Sequence, residues 1–298
     1  MNLYHLRVFQ RVAEHEHITR ASEELILSQP AVTKIVQSLE HDTGLELIER
    51  HGRRIVLTHA GHVLHNYARR MSALEREMEE ELAVLRDVEK GEIKLAANTT
   101  TGVYLLPPIV SRYRNLYPQV RLYMTILNSH EIIEQTLNWT LDFGLVEGDS
   151  TTLPSRLHVE VFAQDELVLV VSPDHRWSKL DELNPESLRE GELLLREQGS
   201  GIREVIEQAL MVHSVQVNPL FTLPDNEAIK QMVINGVGAA LVSALAVQRE
   251  LVSGDLIRIP IAGVDLRPQL SVVRRIDKQL SRSAQAFCSL LETINERE

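Results

Sequence analysis

Hydrophobic spacing divides this chain in two. Up to about residue 90 the apolar residues recur at threes and fours; beyond it, short apolar runs alternate with helical stretches. Residues 18–25 read as a short helix entered through Thr19 as its cap. Ile26-Leu27-Ser28 leaves room only for a tight turn. Ser28 can then cap a second helix, where Pro30 is tolerated because a first turn has no N–H partners to lose. On that helix Ala31, Val32, Ile35 and Leu39 share an inward face, while Gln29, Thr33, Lys34 and Gln37 fall outward. Residues 45–50 and 53–58 flank His51-Gly52 as two short strands, with Arg50, Arg53 and Arg54 at the tip.

Thr58 can cap a long helix, since no Gly or Pro interrupts residues 62–90. Val63, Leu64, Tyr67, Met71, Leu74, Met78, Leu82, Leu85 and Val88 form its apolar stripe. Either the second half of the chain or the same helix of another subunit must cover that stripe. Pairing is favoured, because modules with one helix-turn-helix read two half-sites as dimers. Gly91 ends the helix. Strands are expected at 92–97, 120–127 and 141–146, with helices from Thr99 to about Tyr117 and over 130–137 behind a Ser129 cap. A second round follows, with strands at 166–171, 193–195, 221–223 and 239–242 and helices at 203–210 and 226–235. A strand at 270–273 and a helix over 281–293 close the chain. Such alternation predicts layered α/β lobes built on parallel strands.

The first half carries chemistry suited to DNA. Gln pairs with an adenine edge, Thr offers a hydroxyl or a methyl, and Lys reaches guanine or phosphate. Arginines on a hairpin beside such a helix suit phosphates or a narrow minor groove. A solvated polar face on an ordinary helix pair is the bland alternative. The run Phe9, Val12-Ala13, Ala21, Leu25, Ser28-Gln29-Pro30-Ala31-Val32-Thr33, Leu39-Glu40, Gly44, Leu47, Arg50 and Leu57-Thr58-His59-Ala60-Gly61 tips the balance. In order and gaps it resembles the N-terminal signature of LysR-type transcriptional regulators. Ser22, Thr33, Ile48 and His59 depart from the family's usual Ala, Ser, Phe and Glu, all tolerantly in size or polarity.

That resemblance implies a winged helix-turn-helix over 1–58, a linker and dimerisation helix over 59–90, and a two-lobed, periplasmic-binding-protein-like effector domain over 91–298. Lobe I would take 91–162 and 267–298, and lobe II 163–266. It also implies a homodimer or homotetramer on double-stranded operator DNA, a small-molecule effector, and room for a contact with RNA polymerase. Thr19, Ser28, Gln29, Pro30, Thr33, Lys34, Gln37, Arg50, Arg53 and Arg54 are the DNA-contact candidates.

Net charge, −11, opposes nucleic acid when taken whole, but it is unevenly spread. Residues 1–70 hold nine basic and eight acidic side chains, and the acidity belongs to the remainder. Eight of the twelve histidines precede residue 66 and read more simply as exposed or core residues than as a pH switch. The N-terminus lacks a signal peptide's basic and apolar regions, and the longest apolar run is too short to span a bilayer, so a cytoplasmic protein without membrane contact is expected. One cysteine, Cys288, excludes an internal disulfide and a thiolate metal cluster. Beside Phe287 and Leu291 it reads as core. No metal or cofactor is expected. Enzyme readings lack support, since Gly236-Val237-Gly238 follows a helix and precedes a strand, the reverse of a dinucleotide loop.

In open α/β lobes ligands sit where strands end and helices begin. Asn98-Thr99-Thr100-Thr101-Gly102 and Gln198-Gly199-Ser200-Gly201-Ile202-Arg203 are two such points, and Asn128 and Glu147 end neighbouring strands. Asn98, Thr99, Thr100, Thr101, Asn128, Glu147, Ser200, Gly201 and Arg203 are therefore the effector-site candidates, suited to a small anion. Each Thr or Ser could instead simply cap its helix. The two loops also resemble those of LysR members governing sulfite and cysteine metabolism, which would imply a small oxyanion. The runner-up function is a sensor that binds small molecules without transcriptional output.

Overall fold

The computed structural model describes residues 2–51, 54–84 and 91–294. The chain forms two compact units, residues 1–88 with 138–140, and residues 89–137 with 141–298.

In the first unit, α1 (Leu3–His15), α2 (Ile18–Glu24) and α3 (Gln29–Thr43) precede the hairpin β1 (Ile48–His51) and β2 (Arg54–Leu57), and α4 (His59–Val84) follows. The cap of α2 is His17, not Thr19. His17 is extended, and its Nδ1 accepts from the Thr19 N–H at 3.2 Å, so Thr19 already lies inside the helix. Ser28 does cap α3, its Oγ accepting from the Ala31 N–H at 3.4 Å. The buried face of α3 is Val32, Val36 and Leu39, while Ile35 is only half-buried. These three pack with Leu6, Phe9, Val12, Ala21, Leu47 and Ile55 into one core. Between α2 and α3, Ile26 sits at φ +54° with its side chain 92% exposed. A branched residue there is strained, because its Cβ crowds the following carbonyl.

Thr58 starts α4 as expected, its Oγ1 accepting from the Gly61 N–H at 3.0 Å. Gly61 itself is forced, since a methyl at that position would lie 2.0 Å from the Leu47 carbonyl oxygen. The hairpin and the root of α4 are thereby pressed together. The 26-residue helix leaves Tyr67, Leu74, Met78 and Leu82 at least half exposed. Residues 85–90, including Leu85 and Val88 of the expected stripe, lie outside the described residues. His65 is buried on this helix, and burial beside Arg69 pushes its ring down to about 4, leaving it neutral at pH 7.

The second unit begins with β3 (Gly91–Ala97), a π-helical turn over Thr101–Leu105, α5 (Leu106–Leu116), β4 (Val120–Ile126), α6 (Ser129–Leu137), β5 (Phe143–Gly148) and β6 (Leu157–Gln164). It continues with β7 (Leu167–Val171), β8 (Leu193–Arg196), α7 (Gly201–Val212), β9 (Phe221–Leu223), α8 (Asn226–Ile234), β10 (Ala239–Ser243), α9 (Ala244–Ser253) and β11 (Ile257–Ile259). β12 (Gln269–Arg275) and α10 (Arg282–Glu292) complete it. Two five-stranded sheets result, in the orders β4-β3-β5-β12-β6 and β11-β7-β10-β8-β9. β3 runs parallel to β4 and β5, and β8 runs parallel to β9 and β10, whereas β12 pairs antiparallel with β5 and β6. Each lobe thus has a parallel centre whose strand ends open on helix starts.

The chain crosses between lobes twice, and the crossings are tied side by side: the Asp165 N–H donates to the Pro268 carbonyl at 3.0 Å, and that of Leu167 to Leu266 at 2.8 Å. Pro107 and Pro108 stand in the first turn of α5 without N–H donors, which fits the widened turn before it. α6 is capped by Asn128 rather than Ser129, because Asn128 Oδ1 accepts from Glu131 N–H while the Glu131 carboxylate accepts from Asn128 N–H, a reciprocal capping box. Cys288, half-buried on α10, has its thiol pushed up to about 12 by burial, so it carries no thiolate at neutral pH.

Candidate DNA face and effector cleft

Burial of Val32, Val36 and Leu39 turns the opposite side of α3 outward. Ser28, Gln29, Pro30, Lys34 and Gln37 are exposed there, and Thr33 and Thr19 are half exposed. Ser28 is occupied as the cap, which leaves Gln29, Thr33, Lys34 and Gln37 as free side chains along one ridge. Arg54 behaves differently from expectation. Its guanidinium reaches back to Glu16, with Nη2 2.7 Å and Nε 3.1 Å from Oε2. The Glu16 carbonyl also accepts from the Ile55 N–H at 3.0 Å, so the hairpin is docked on the α1–α2 connection. Arg53 and the Arg50 side chain lie outside the described residues.

In the second unit the sequence candidates separate into two groups. Asn128 and Arg203 have structural work. Asn128 caps α6, and Arg203 straps α7 to β8, its Nε 2.7 Å from Glu207 Oε1 and its Nη1 donating to the Arg196 carbonyl at 3.0 Å. Thr99 is half-buried at the start of its turn. Asn98 does both kinds of work, because its Oδ1 accepts from the Thr101 N–H at 2.7 Å while its Nδ2 is buried without a partner.

The remaining hydroxyls do not cap. Thr100 and Ser200 occupy N-cap positions, yet neither side chain makes a cap hydrogen bond. Thr100 Oγ1, Thr101 Oγ1 and Ser200 Oγ are all buried and unpartnered. A hydroxyl desolvated without a partner costs roughly 1–3 kcal/mol, so three of them at helix starts need something to bond.

Glu147 ends β5 among them, 4% exposed, with Oε2 unpartnered. Arg196 first, then the Thr100 hydroxyl and the Ile202 N–H, favour its charged form, but burial and next the neighbouring Asp165 outweigh them and push the carboxyl up to about 8. Gly201 closes the contact between lobes: a methyl there would lie 1.9 Å from the Glu147 carbonyl oxygen and 2.9 Å from Ser129 Oγ. The cleft has further residues that spacing did not single out. Arg196, 3% exposed, is bound by Glu197 at 2.8 Å and 3.1 Å and donates to Asn226 Oδ1 at 2.9 Å. Asn226 Nδ2 and Asp165 Oδ2 are again buried and unpartnered. A crossover Asp and a helix-start Asn give no periodic signal; only the fold brings them to the strand ends.

Two family descriptions match: "Bacterial regulatory helix-turn-helix protein, lysR family" over residues 3–62, and "LysR substrate binding domain" over residues 86–294. The chain is similar to the HTH-type transcriptional regulator CysL of Bacillus subtilis, 28% identical over 288 residues that cover 97% of this chain and 96% of that one. Among solved structures it resembles full-length CbnR complexed with its target DNA, with TM-score 0.67, 24% identity, and 98% and 99% of the two chains covered. It also resembles the regulatory domain of Synechocystis PCC6803 CcmR in complex with 2-PG, with TM-score 0.63, 25% identity, and 70% and 99% covered.

Proposed function

Because the chain belongs to the LysR family of DNA-binding transcriptional regulators, we propose that the α3 ridge reads operator bases and that the cleft between lobes binds a small effector bearing an acidic group. Gln29, Thr33, Lys34 and Gln37 read base edges, while Arg50 and Arg53 meet phosphates or the minor groove. Arg54 joins them by exchanging Glu16 for phosphate. In the cleft, Thr100, Thr101, Ser200 and the Asn98 and Asn226 amides donate to the acidic group, at the start of α7. The observation that carries this is the set of buried hydroxyls at helix starts that cap nothing. That CcmR is known with 2-PG supports an acidic ligand by analogy.

The exposed stripe of α4 pairs with the same helix of a second copy, giving a dimer or a tetramer, with RNA polymerase a further contact on the promoter. The protein works in the cytoplasm, by binding rather than turnover. An effector shifts the lobes only by the difference in its affinity for their two arrangements.

Gel shifts test the DNA half: the chain should prefer its own upstream DNA to random DNA at moderate salt. Gln29→Ala should lose about 1–3 kcal/mol at particular bases, and Arg53→Ala should weaken all sequences and flatten the salt slope by about one. Equal losses on operator and random DNA for both variants would reject that division. Thermal shifts with sulfite, sulfate, thiosulfate, phosphate and short carboxylates test the cleft; shifts that survive Thr100→Ala and Ser200→Ala would place the site elsewhere.

A further inference from the structure

The effector cleft contains acid as well as donors. Glu147 and Asp165, 4% and 5% exposed, each keep one oxygen buried without a partner. Their cationic neighbours are already engaged: Arg196 is held by Glu197 and Asn226, and Arg203 by Glu207 and the Arg196 carbonyl. Glu147 also borders a small separate pocket lined by His130, Asp149 and Glu204. Around the two carboxyls stand three hydroxyls and two amide groups able to donate, with the Thr100 hydroxyl in reach of Glu147 itself. A bare anion brings only acceptors, so it would satisfy the donors and meet Glu147 only while that carboxyl keeps its proton, leaving the Asp165 oxygen unmet and adding charge beside it. An ammonium group brings three N–H donors and a positive charge.

We infer that the natural effector is a zwitterion of amino-acid type, with its ammonium on Glu147 and its acidic group on Thr100, Thr101 and Ser200. The inference rests on the effector reading of this cleft. Glu147 is then the specificity-determining residue, selecting ligands that carry an amine. Burial and Asp165 keep this carboxyl neutral near pH 7. An arriving ammonium favours the ionised form, so the bound state holds fewer protons than the free one.

The test is isothermal titration calorimetry on the full chain with acids matched in pairs: L-alanine and propionate, L-serine and 3-hydroxypropionate, L-aspartate and succinate, L-glutamate and glutarate, with sulfate and phosphate alongside. At least one amino acid should bind about tenfold or more tightly than its partner lacking the amine, as a charge-assisted hydrogen bond requires. Glu147→Gln should bring that pair to within about twofold. Repeating the wild-type titration at pH 7 in PIPES and in Tris should show proton release, a reading independent of the variant's folding. If the amine-free acids bind as well or better, or binding takes up a proton, the zwitterion is wrong. The cleft then holds a bare anion against a neutral Glu147, and the effector reading stands. Binding by none of the panel would reject both.

Discussion

Replacing Glu147 by Gln should stabilise the effector unit increasingly as pH rises. The carboxyl is buried at the end of β5 and is pushed from 4.5 up to about 8, first by burial and next by Asp165, against the opposing pull of Arg196. The native state therefore holds this proton more tightly than the unfolded chain does. Stability from that proton is fully present below pH 4.5 and is lost as pH climbs through about 8. Each tenfold difference in proton affinity is worth ~1.4 kcal/mol, so the window from 4.5 to about 8 spans roughly 5 kcal/mol, of which about 3 kcal/mol is gone at pH 7. Glutamine has the shape of the neutral acid, carries one donor more and does not titrate. Urea unfolding of both proteins, followed through Trp177, which is 5% exposed in the lobe II core, reads the difference. The two should nearly coincide at pH 5 and diverge by several kcal/mol at pH 8.5. A gap that stays constant over that range would refute a neutral Glu147.

Gly201→Ala drives a methyl into the Glu147 carbonyl, a clash that only separation of α7 from β5 relieves; it should cost about 1–3 kcal/mol. That corresponds to a melting point lower by roughly 2–12 °C, and an unchanged one would mean the lobes are not pressed together there. Ile26→Gly relieves a branched residue held at φ +54° and should stabilise the DNA-binding unit by about 1 kcal/mol, read as a higher melting temperature of that unit.

Much of this fold is legible from spacing and cap chemistry. Ser28 and Thr58 start their helices because the hydroxyl is in place and the next residues are helical, and the alternation after Gly91 yields two parallel-centred sheets. α1 is absent from the expected elements, although Leu6, Phe9, Val12 and Ala13 follow the same three-and-four rule. Other features depend on packing. His17 displaces Thr19 as a cap because the ring nitrogen of an extended residue reaches the same N–H. β6 and β11 are not among the expected strands, although Leu157-His158-Val159-Glu160-Val161 and Ile257-Arg258-Ile259 alternate as strands do. In the cleft, sequence finds the hydroxyl-rich helix starts, but not which of them go uncapped. That depends on Gly201 pressing α7 onto β5, and on Asp165 and Asn226 arriving from elsewhere in the chain.

The root of α4 has a mechanical consequence. Gly61 allows Leu47 to touch the helix directly, so the hairpin and α4 move as one solid piece. With 26 residues at 1.5 Å each, that piece is an arm roughly 39 Å long. A swing of about 5° imposed at its far end displaces the near end by roughly 3.4 Å, the rise of one base pair. An angular change too small to bend the helix or disturb its core is therefore enough to shift which base pair the protein meets.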